Sequence, residues 1–471
     1  MEINHPSGAK GRDERTFINP NIFRAYDVRG RYPDDINEEA VYKIGQAFVN
    51  YTRAKQILVA RDIRFSSENL CNSLIKGICS QGASVLDIGL CSTSCFYFAA
   101  ATTGVDASLM ITASHFGKNF NGLKPVFAKN VPLTRDEVKE LKDAVIRKEY
   151  NTISSEARID RKDFSQVYID TIRSFIKNKF KPLKIVIDAS NGMAGLYVEK
   201  IFSGTELETI FIFTELDGNF PNHEPNPKIP VNRQKLIEKI LREEADLGIM
   251  FDGDADRVYF LNRKGEVIDP NLVSALIAEY LIKQTGKKKI LVEVRTSRAV
   301  ADYIKKVGGK VEVSVCWTIP IKLKMIADPE IIFGSETSGH YVFADLHKID
   351  DGILAAITFL QAISGKSQSI DGIIDEFNKK YFIIEETNFK IDNLVKIKEI
   401  LKTLEEKYEK QGGEIMKIDG LTVEFNNWWF NLRSSETEPF IRLNLEASNH
   451  KLMEEKKKEL STLITSLAKG I

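Results

Sequence analysis

Residues 233–257, RQKLIEKILREEADLGIMFDGDADR, contain the alternation that decides the fold. Residues 233–245 place apolar side chains at helical spacing, and residues 245–252 form a short apolar run typical of a buried strand. The same succession recurs along the chain, for example around the strand-like runs QILVARD (56–62) and LKIVIDAS (183–190). Strand, helix and strand in succession predict an α/β fold with mixed, mostly parallel sheets and helices on both faces.

The chain of 471 residues is longer than one hydrophobic core supports, and the pattern divides it into four predicted domains. Three similar α/β domains are predicted at residues 16–158, 159–262 and 263–372. Residues 373–471 combine lysine-rich helices with strand-like segments, which predicts a C-terminal α+β domain. Residues 1–15 are polar and aperiodic and predict a flexible leader. We expect the four domains to surround one central cleft.

The composition excludes several classes of partner. The chain has 66 Lys+Arg and 66 Asp+Glu, and this balance argues against nucleic acid or an anionic membrane surface as the main partner. No apolar run approaches the roughly 20 residues that span a bilayer, and the first residues lack the apolar middle of a signal peptide. The five cysteines include no CxxC pair, so we expect reduced, buried thiols in a cytoplasmic protein.

Four polar loops follow strand-like runs in the four predicted domains. They are TASHFGKNFNGLKP (112–125), FDGDADR (251–257), GSETSGH (334–340) and RSSETEP (433–439). Ligands of parallel sheets bind beyond the carboxyl ends of the strands, so these loops are the first candidates for a binding site.

The aspartate loop is a candidate metal site. Asp252, Asp254 and Asp256 alternate with small residues, and three converging carboxylates repel one another unless a cation such as Mg²⁺ lies among them. An EF-hand is excluded, because the sixth position is Arg257 rather than Gly and the twelfth is Arg263 rather than Glu. A solvated acidic turn remains an alternative, as does a phosphatase that uses Asp252 as its nucleophile.

The serine loop indicates which reaction a metal at the aspartate loop would assist. Ser114 directly follows a strand-like run, His115 comes next, and the turn at 121–122 brings Lys124 back towards it. Alone, a Ser-His pair is more typical of a structural turn. Beside a metal loop, Ser114 is a candidate phosphate carrier whose phosphoryl oxygen would complete the metal ligands.

The last loop offers groups for a phosphate. Arg433 presents a planar guanidinium to phosphate oxygens, and Ser435 and Thr437 add hydroxyl donors. A hairpin turn near the end of the chain is the alternative interpretation.

The loop at 334–340 offers groups for a sugar. Glu336 and Ser338 suit sugar hydroxyls, and His340 titrates near neutrality. An ordinary polar loop between a strand and a helix is the alternative.

Together these loops resemble the α-D-phosphohexomutase superfamily, in its phosphomannomutase/phosphoglucomutase branch. The similarity runs from about Phe23 to Glu446 and keeps the motifs in the order of the family. The matching motifs are FRAYDVRG (23–30), TASH (112–115), DGNFPNHEPNP (217–227), DGDADR (252–257), SETSGH (335–340) and RSSETEPFIRLNLEA (433–447).

The resemblance implies an enzyme that interconverts hexose 1-phosphate and hexose 6-phosphate, with mannose, glucose or both as the sugar. The phosphoryl group would pass from a phosphoserine to the substrate, giving a hexose 1,6-bisphosphate that reorients in the cleft before the second transfer. Mg²⁺ is the implied cofactor and the bisphosphate the implied activator. The implied partners are sugar phosphates rather than nucleic acid or membrane, and we expect a monomer or a homodimer.

The resemblance also implies roles for single residues. Ser114 would carry the phosphoryl group and would be a metal ligand together with Asp252, Asp254 and Asp256. Lys124 and His340 would be the general acid and base, with the pKa of Lys124 lowered by neighbouring cations. The remaining implied residues are Arg29 and Arg257 for phosphoryl transfer, Glu336 and Ser338 for the sugar, and Arg433, Ser435, Thr437 and Arg442 for the phosphate that is not transferred.

Three departures from the family pattern keep a further alternative open, a catalytically silent protein that binds sugar phosphates. Phe116-Gly117 replaces the usual Asn-Pro beside the serine, and Cys316-Trp317-Thr318 replaces a segment that usually reads Val-Gly-His or Val-Gly-Asp. Thr318 therefore occupies a position that the family uses for sugar specificity. Glu436 stands where the phosphate loop usually has Gly or Asn.

Overall fold

The chain folds into four successive β-sheets with helices packed against them. The computed structural model describes residues 18–153, 156–379, 381–384, 386–391, 393–434 and 440–469. The predicted leader therefore lies outside the described residues. Within this part of the chain, every helix is too short or too polar to cross a membrane.

The first sheet carries the serine loop. Its elements are β1 (Val28–Arg31), α1 (Glu38–Thr52), β2 (Gln56–Arg61), α2 (Ser67–Cys79), β3 (Ser84–Leu90), α3 (Thr93–Thr102), β4 (Ala107–Ile111), β5 (Phe120–Phe127), β6 (Val131–Pro132), α4 (Arg135–Arg147) and β7 (Ile159–Arg161). The strand order is β1-β5-β4-β2-β3-β7, with β6 paired to β5. Strands β4, β2, β3 and β7 are parallel, and β5 is antiparallel to β4. β7 extends this sheet, although the predicted domain boundary assigns it to the second domain.

The second sheet carries the aspartate loop. Its elements are α5 (Ser165–Arg173), β8 (Lys184–Asp188), α6 (Val198–Phe202), β9 (Glu208–Ile212), α7 (Gln234–Glu243), β10 (Leu247–Phe251) and β11 (Val258–Asn262), in the strand order β11-β10-β8-β9. Helix α7 packs closely on β10 because Gly248 has no side chain there. A Cβ at Gly248 would lie 2.3 Å from Ile240 Cδ1.

The third sheet carries the loop at 334–340. Its elements are α8 (Pro270–Thr285), β12 (Lys289–Glu293), α9 (Arg298–Lys306), β13 (Lys310–Ser314), α10 (Thr318–Ala327), β14 (Ile331–Ser335), β15 (Tyr341–Phe343), β16 (Ile349–Asp350), α11 (Gly352–Ser364) and α12 (Ile370–Asn378). The order is β13-β12-β14-β15-β16, in which β13, β12 and β14 are parallel and β15 and β16 are antiparallel.

The fourth sheet is antiparallel throughout its described strands. Its elements are β17 (Phe382–Ile383), β18 (Thr387–Lys390), α13 (Leu394–Glu409), β19 (Glu414–Met416), β20 (Leu421–Glu424), β21 (Trp428–Ser434), β22 (Phe440–Ala447) and α14 (His450–Lys469). Its order is β17-β22-β21-β20-β19, and β18 also pairs with β22. The predicted fold class, three α/β units followed by an α+β unit, is confirmed.

The hydrophobic cores separate the fourth sheet from the others. One continuous apolar cluster runs from Phe96 in α3 through Phe260 in β11 to Phe359 in α11, and so joins the first three sheets. The fourth sheet has a cluster of its own, between residues 384 and 464. None of the five cysteines, all of which are described, forms a disulfide; four are buried as predicted, whereas Cys79 is partly exposed. The first three sheets therefore form one packed support, on which the fourth sheet is a separate unit.

Candidate active site

The aspartate loop leaves the carboxyl end of β10 and is closed to solvent. Asp252, Asp254 and Asp256 are buried, and one carboxylate oxygen from each lies within 4.8 Å of the others. Burial, with repulsion from Asp256 and Asp254, raises the pKa of Asp252 well above its usual range. Among the described residues, Asp254 Oδ1 has no hydrogen-bond partner. A divalent cation with oxygen ligands fits this donor set, because it would supply the missing partner and remove the repulsion.

Ser114 lies against this carboxylate cluster, where the sequence predicts it. Its Oγ donates a hydrogen bond to Asp252 Oδ2 over 3.1 Å, and its Oγ lies 3.3 Å from His115 Nδ1. The residue is buried, and its φ of +52° places the backbone in the left-handed region. The backbone N–H of Ser114 donates to Thr112 Oγ1, 2.9 Å away. The serine loop and the aspartate loop therefore form one site, although 138 residues separate Ser114 from Asp252.

Arg64 fixes the serine loop from inside, and sequence reasoning missed it. Its guanidinium is buried and donates to the carbonyl oxygens of Ser114 (2.6 Å), Phe116 (2.6 Å) and Gly117 (2.8 Å). A pair with Asp62 at 3.0 Å balances its charge. Three carbonyl bonds to one rigid guanidinium define the path of the loop despite the Phe116-Gly117 departure.

Asp62 extends this support to the strand that carries the loop. Its carboxylate accepts hydrogen bonds from Thr112 Oγ1 at 2.7 Å and from Ser67 Oγ at 2.5 Å. The sequence signal for these two residues was their position, because Asp62 and Arg64 follow the carboxyl end of β2, at the edge of the sheet where β4 also ends. The rule that ligands bind beyond the carboxyl ends of parallel strands also covers this segment, so it could have identified both residues.

Lys124 reaches the site from β5, but with a different charge environment from the one expected. Its Nζ lies 2.7 Å from Asp254 Oδ2 and 2.7 Å from Asp256 Oδ2. The expectation of a lowered pKa is wrong. Burial lowers the pKa of Lys124, but the two carboxylates outweigh burial and raise it well above its usual value. The anions are its nearest neighbours, so they decide the sign rather than the more distant cations.

Arg257 and His340 connect the aspartate loop to the third sheet. Arg257 Nε lies 3.6 Å from Asp252 Oδ2 and 3.2 Å from His340 Nε2. His340 Nδ1 lies 3.1 Å from Glu336 Oε2, and its Nε2 lies 3.5 Å from Asp256 Oδ1. Burial and Arg257 lower the pKa of His340, but Asp256 and Glu336 outweigh them and raise it to about 9.

The sugar-loop residues meet around Glu336. Thr318 Oγ1 donates to Glu336 Oε2 over 2.9 Å, and Ser338 Oγ lies 2.9 Å from His340 Nδ1. Arg295, which the sequence reasoning missed, places Nη2 3.4 Å from Glu336 Oε1. Burial raises the pKa of Glu336, but His340 and Arg295 outweigh it and hold the pKa well below its usual range. Glu336 is therefore an ionised acceptor at the side of the cleft.

The fourth sheet contributes arginines to the same cleft. Arg433 in β21 and Arg442 in β22 are opposite in register, and both pair with Glu386, at 3.0 and 3.5 Å. Arg295 Nη1 lies 3.8 Å from the same carboxylate, which joins the third sheet to the fourth. Among the described residues, the Nε atoms of Arg433 and Arg442 have no hydrogen-bond partner. This end of the cleft therefore has spare donors for an anion.

The remaining predicted residues lack described contacts with the carboxylate cluster or lie outside the described residues. Arg29 pairs with Asp27 at 2.6 Å and lies over the Phe116 ring, 4.7 Å from its centroid. Ser435 and Thr437 lie outside the described residues, and so does Glu436. Lys228, which the sequence reasoning did not single out, lies close enough to the arginines of this cleft to be affected by their charge. Burial, and next the positive charge of Arg295, lower the pKa of Lys228.

Comparisons with known proteins agree with this arrangement over the whole chain. Models of the phosphoglucomutase/phosphomannomutase α/β/α domains I, II and III and of the C-terminal domain match residues 20–152, 166–265, 269–381 and 386–463. A phosphomannomutase of Escherichia coli (strain K12) is 32% identical over 454 residues, which cover 94% of this chain and 98% of the relative.

Two further similar proteins carry related names. A phosphoglucomutase of Neisseria gonorrhoeae is 31% identical over 454 residues, covering 95% of this chain and 98% of the relative. The crystal structure of a phosphoglucomutase/phosphomannomutase family protein from Burkholderia thailandensis superposes with a TM-score of 0.86 at 28% identity. That similarity covers 96% of this chain and 98% of the other.

Proposed function

The chain belongs to the phosphoglucomutase/phosphomannomutase family and is a phosphohexomutase, and from this premise we propose that Ser114 carries the phosphoryl group that it transfers. The observation that carries the proposal is the 3.1 Å contact between Ser114 Oγ and Asp252 inside a buried three-carboxylate cluster. A serine hydroxyl in that position is adjacent to the site that fits a cation. A phosphoryl group on Ser114 would thus meet groups suited to its charge.

The metal in this proposal is Mg²⁺, held by Asp252, Asp254 and Asp256 together with a phosphoryl oxygen on Ser114. When bound, it would neutralise charge on the phosphoryl group during transfer. Hard carboxylate oxygens support Mg²⁺ over softer metals. Arg257, which lies 3.6 Å from Asp252 Oδ2, and Arg29, which lies over Phe116, would steady the transferring group from the two sides of the loop.

The chemical step exchanges one phosphorus–oxygen bond for another. In the proposed first transfer, the free hydroxyl oxygen of a hexose monophosphate bonds to phosphorus while the bond from phosphorus to Ser114 Oγ breaks. The proton of that hydroxyl leaves and Ser114 Oγ is protonated, so a general base and a general acid are needed. Lys124 and His340 are proposed for these roles because they approach Asp256 from different sheets, at 2.7 and 3.5 Å, and the one that acts as the base has first to lose the proton that the neighbouring carboxylates favour.

The substrate is proposed to lie between Ser114 and the arginines of the fourth sheet. Glu336 would accept hydrogen bonds from sugar hydroxyls, and Ser338 would donate to them. Thr318 would orient Glu336 through the 2.9 Å hydrogen bond that it donates to this carboxylate. Arg433 and Arg442 would hold the phosphate that is not transferred, with Ser435 and Thr437 proposed from the sequence motif alone. The same groups serve either end of a hexose 1,6-bisphosphate, because donors of this kind recognise phosphate rather than the position that bears it.

We propose a cytoplasmic enzyme, which cysteines without disulfides support. The equal numbers of acidic and basic residues support sugar phosphates, rather than nucleic acid or an anionic membrane, as its partners. Hexose 1,6-bisphosphate is the proposed activator, since it can transfer a phosphoryl group to an unphosphorylated Ser114.

The test is product formation from mannose 1-phosphate, glucose 1-phosphate and glucosamine 1-phosphate, each with Mg²⁺ and a trace of glucose 1,6-bisphosphate. We expect turnover of the first two, and their ratio reports the effect of Thr318 on specificity. A folded protein that turns over none of the three would contradict the proposal and favour a silent sugar-phosphate-binding protein. Turnover that survives Ser114→Ala but not Asp252→Asn would instead indicate chemistry at Asp252.

A further inference from the structure

The exposed ring of Trp317 has no role in the site as described above. Trp317 is 47% exposed, although Trp is highly buried on average in folded proteins. Its φ of +86° and ψ of 141° lie in a region that favours glycine and strains a residue with a bulky side chain. An exposed tryptophan in a strained backbone stabilises neither its helix nor a core. The ring is therefore better explained by something that it contacts outside the fold.

The position of Trp317 is at the cleft. The residue directly precedes α10, and the next residue, Thr318, donates to Glu336. The indole ring lies 6.3 Å, centroid to centroid, from the ring of Tyr26, which comes from the segment just before β1. The preceding residue, Cys316, donates its N–H to Oδ2 of Asp419, which lies in the turn between β19 and β20 of the fourth sheet. Trp317 thus lies in a segment that contacts the first and fourth units, and it directly precedes the threonine that contacts Glu336, the acceptor proposed for sugar hydroxyls.

We propose that the exposed ring of Trp317, next to Tyr26 and tilted by 56° from it, is an aromatic surface on which the hexose ring of the substrate packs. The inference rests on the proposed function, because it assigns a contact within the same site. The C–H groups of a hexose present an apolar surface that an aromatic ring can cover, whereas the hydroxyls are left for Glu336 and Ser338. Such packing is non-directional, so it suits a sugar that has to be held with either phosphate towards Ser114.

Because the backbone at Trp317 is strained, a glycine variant can distinguish a role of the ring in binding from a role in the stability of the fold. Trp317→Gly removes the ring, and with it the contact to Tyr26, but it also relieves the positive φ, which offsets that loss. We expect its midpoint of thermal unfolding to be no lower than that of the wild type. Trp317→Phe keeps an aromatic face in the same backbone and serves as the conservative variant.

The experiment compares the wild type, Trp317→Gly and Trp317→Phe in binding glucose 6-phosphate, mannose 6-phosphate and inorganic phosphate by calorimetry. For Trp317→Gly we expect the Kd of both hexose phosphates to rise about tenfold, the size of one lost aromatic contact, with the Kd of inorganic phosphate unchanged. Trp317→Phe should recover most of the affinity. KM should follow Kd, while kcat falls much less.

Fluorescence gives a readout independent of turnover. The chain has three tryptophans, and Trp428 and Trp429 are buried within the fourth sheet. Glucose 6-phosphate should therefore change the emission of the wild type, and Trp317→Phe should abolish that change. Equal hexose phosphate affinities in Trp317→Gly and wild type would overturn the inference, and so would an equal loss of inorganic phosphate binding. A wild type that neither binds nor turns over hexose phosphates would contradict the proposed function instead.

Discussion

The two ends of the cleft differ in how their charged groups are held. At the proposed catalytic end, Ser114 and the three aspartates are buried on sheets that share one hydrophobic cluster, and Arg64 fixes the serine loop by hydrogen bonds from the interior. At the other end, Arg433 and Arg442 lie on a sheet with a hydrophobic cluster of its own. Described contacts between the two ends include the one between Arg295 and Glu386.

This difference matches two different tasks. Phosphoryl transfer depends on atoms held within fractions of an ångström, and a buried, interlocked support provides that. Binding a phosphate that can be at either end of the sugar needs donors whose position can adjust as the cleft opens and closes. We therefore expect substitutions at the catalytic end to lower kcat and substitutions on the fourth sheet to raise KM.

The largest effect is expected from Ser114→Ala. Without Oγ there is no carrier, and we expect mutase turnover to fall by about a thousandfold or more, with KM little changed. The measurement is conversion of glucose 1-phosphate at saturating bisphosphate. Turnover close to that of the wild type would remove the distinction between the two ends of the cleft.

Asp254→Asn should come next. It removes one of three proposed metal ligands, whose Oδ1 has no hydrogen-bond partner among the described residues. We expect the affinity for Mg²⁺ to fall tenfold or more and kcat at fixed metal to fall about a hundredfold. Titration with Mg²⁺ while turnover is followed gives both values. Undiminished affinity would place the metal elsewhere.

Arg64→Lys tests the interior support alone. A lysine ammonium cannot reach Asp62 and three carbonyl oxygens together, so the serine loop should shift and kcat should fall about tenfold to a hundredfold. Arg61→Lys is the matched control, because Arg61 is partly exposed and pairs with the exposed Glu68 at 3.6 Å. Equal effects of the two variants would mean that Arg64 does not position the loop.

Arg433→Lys should act at the other end. Losing the planar guanidinium beside Glu386 should raise KM for hexose 1-phosphates about tenfold and leave kcat within a few-fold. Steady-state kinetics separate the two parameters. A loss confined to kcat would show that this arginine belongs to the catalytic end, contrary to the comparison above.

The smallest effect concerns the junction between the second and third sheets. Asp351 caps α11 and accepts a 2.6 Å hydrogen bond from Tyr168, and burial raises its pKa from 3.8 to about 7. A raised pKa in the folded state means that the protonated acid is favoured on folding. Its contribution is therefore present in full below the unfolded pKa and is lost as pH rises through about 7.

Between pH 6 and pH 8 we expect this loss to lower the free energy of unfolding by about 1 kcal/mol, in addition to the contributions of other groups. Denaturant unfolding of the wild type and of Asp351→Asn at both pH values measures it. The variant cannot ionise here, so its stability should change less over this range. Parallel pH profiles of the two proteins would contradict the assignment.

What the sequence predicts well is local. The alternation of apolar runs predicts the strands and helices of the first three sheets, and DGDADR predicts its own carboxylate cluster because the three acids are two residues apart. Ser114 could be joined to that cluster because both follow strands whose carboxyl ends bind ligands.

What the sequence does not predict depends on contacts between distant segments. Arg64 donates to carbonyl oxygens about 50 residues away, and Glu386 pairs with arginines from two different sheets. No sequence motif indicates either set of contacts. The pKa of Lys124 was predicted with the wrong sign, because the sign depends on which charges lie within 3 Å. Trp317 was noticed only as a departure, since its backbone angle and its exposure are properties of the folded chain.

Peptide mass mapping after brief exposure to glucose 1,6-bisphosphate and Mg²⁺ decides whether Ser114 is the phosphoryl carrier. We expect one phosphoryl group on the peptide that contains Ser114, lost again when glucose 1-phosphate is added, and no phosphoryl group on Ser114→Ala. A phosphoryl group on Asp252, or an active enzyme that never carries one on Ser114, would contradict this assignment.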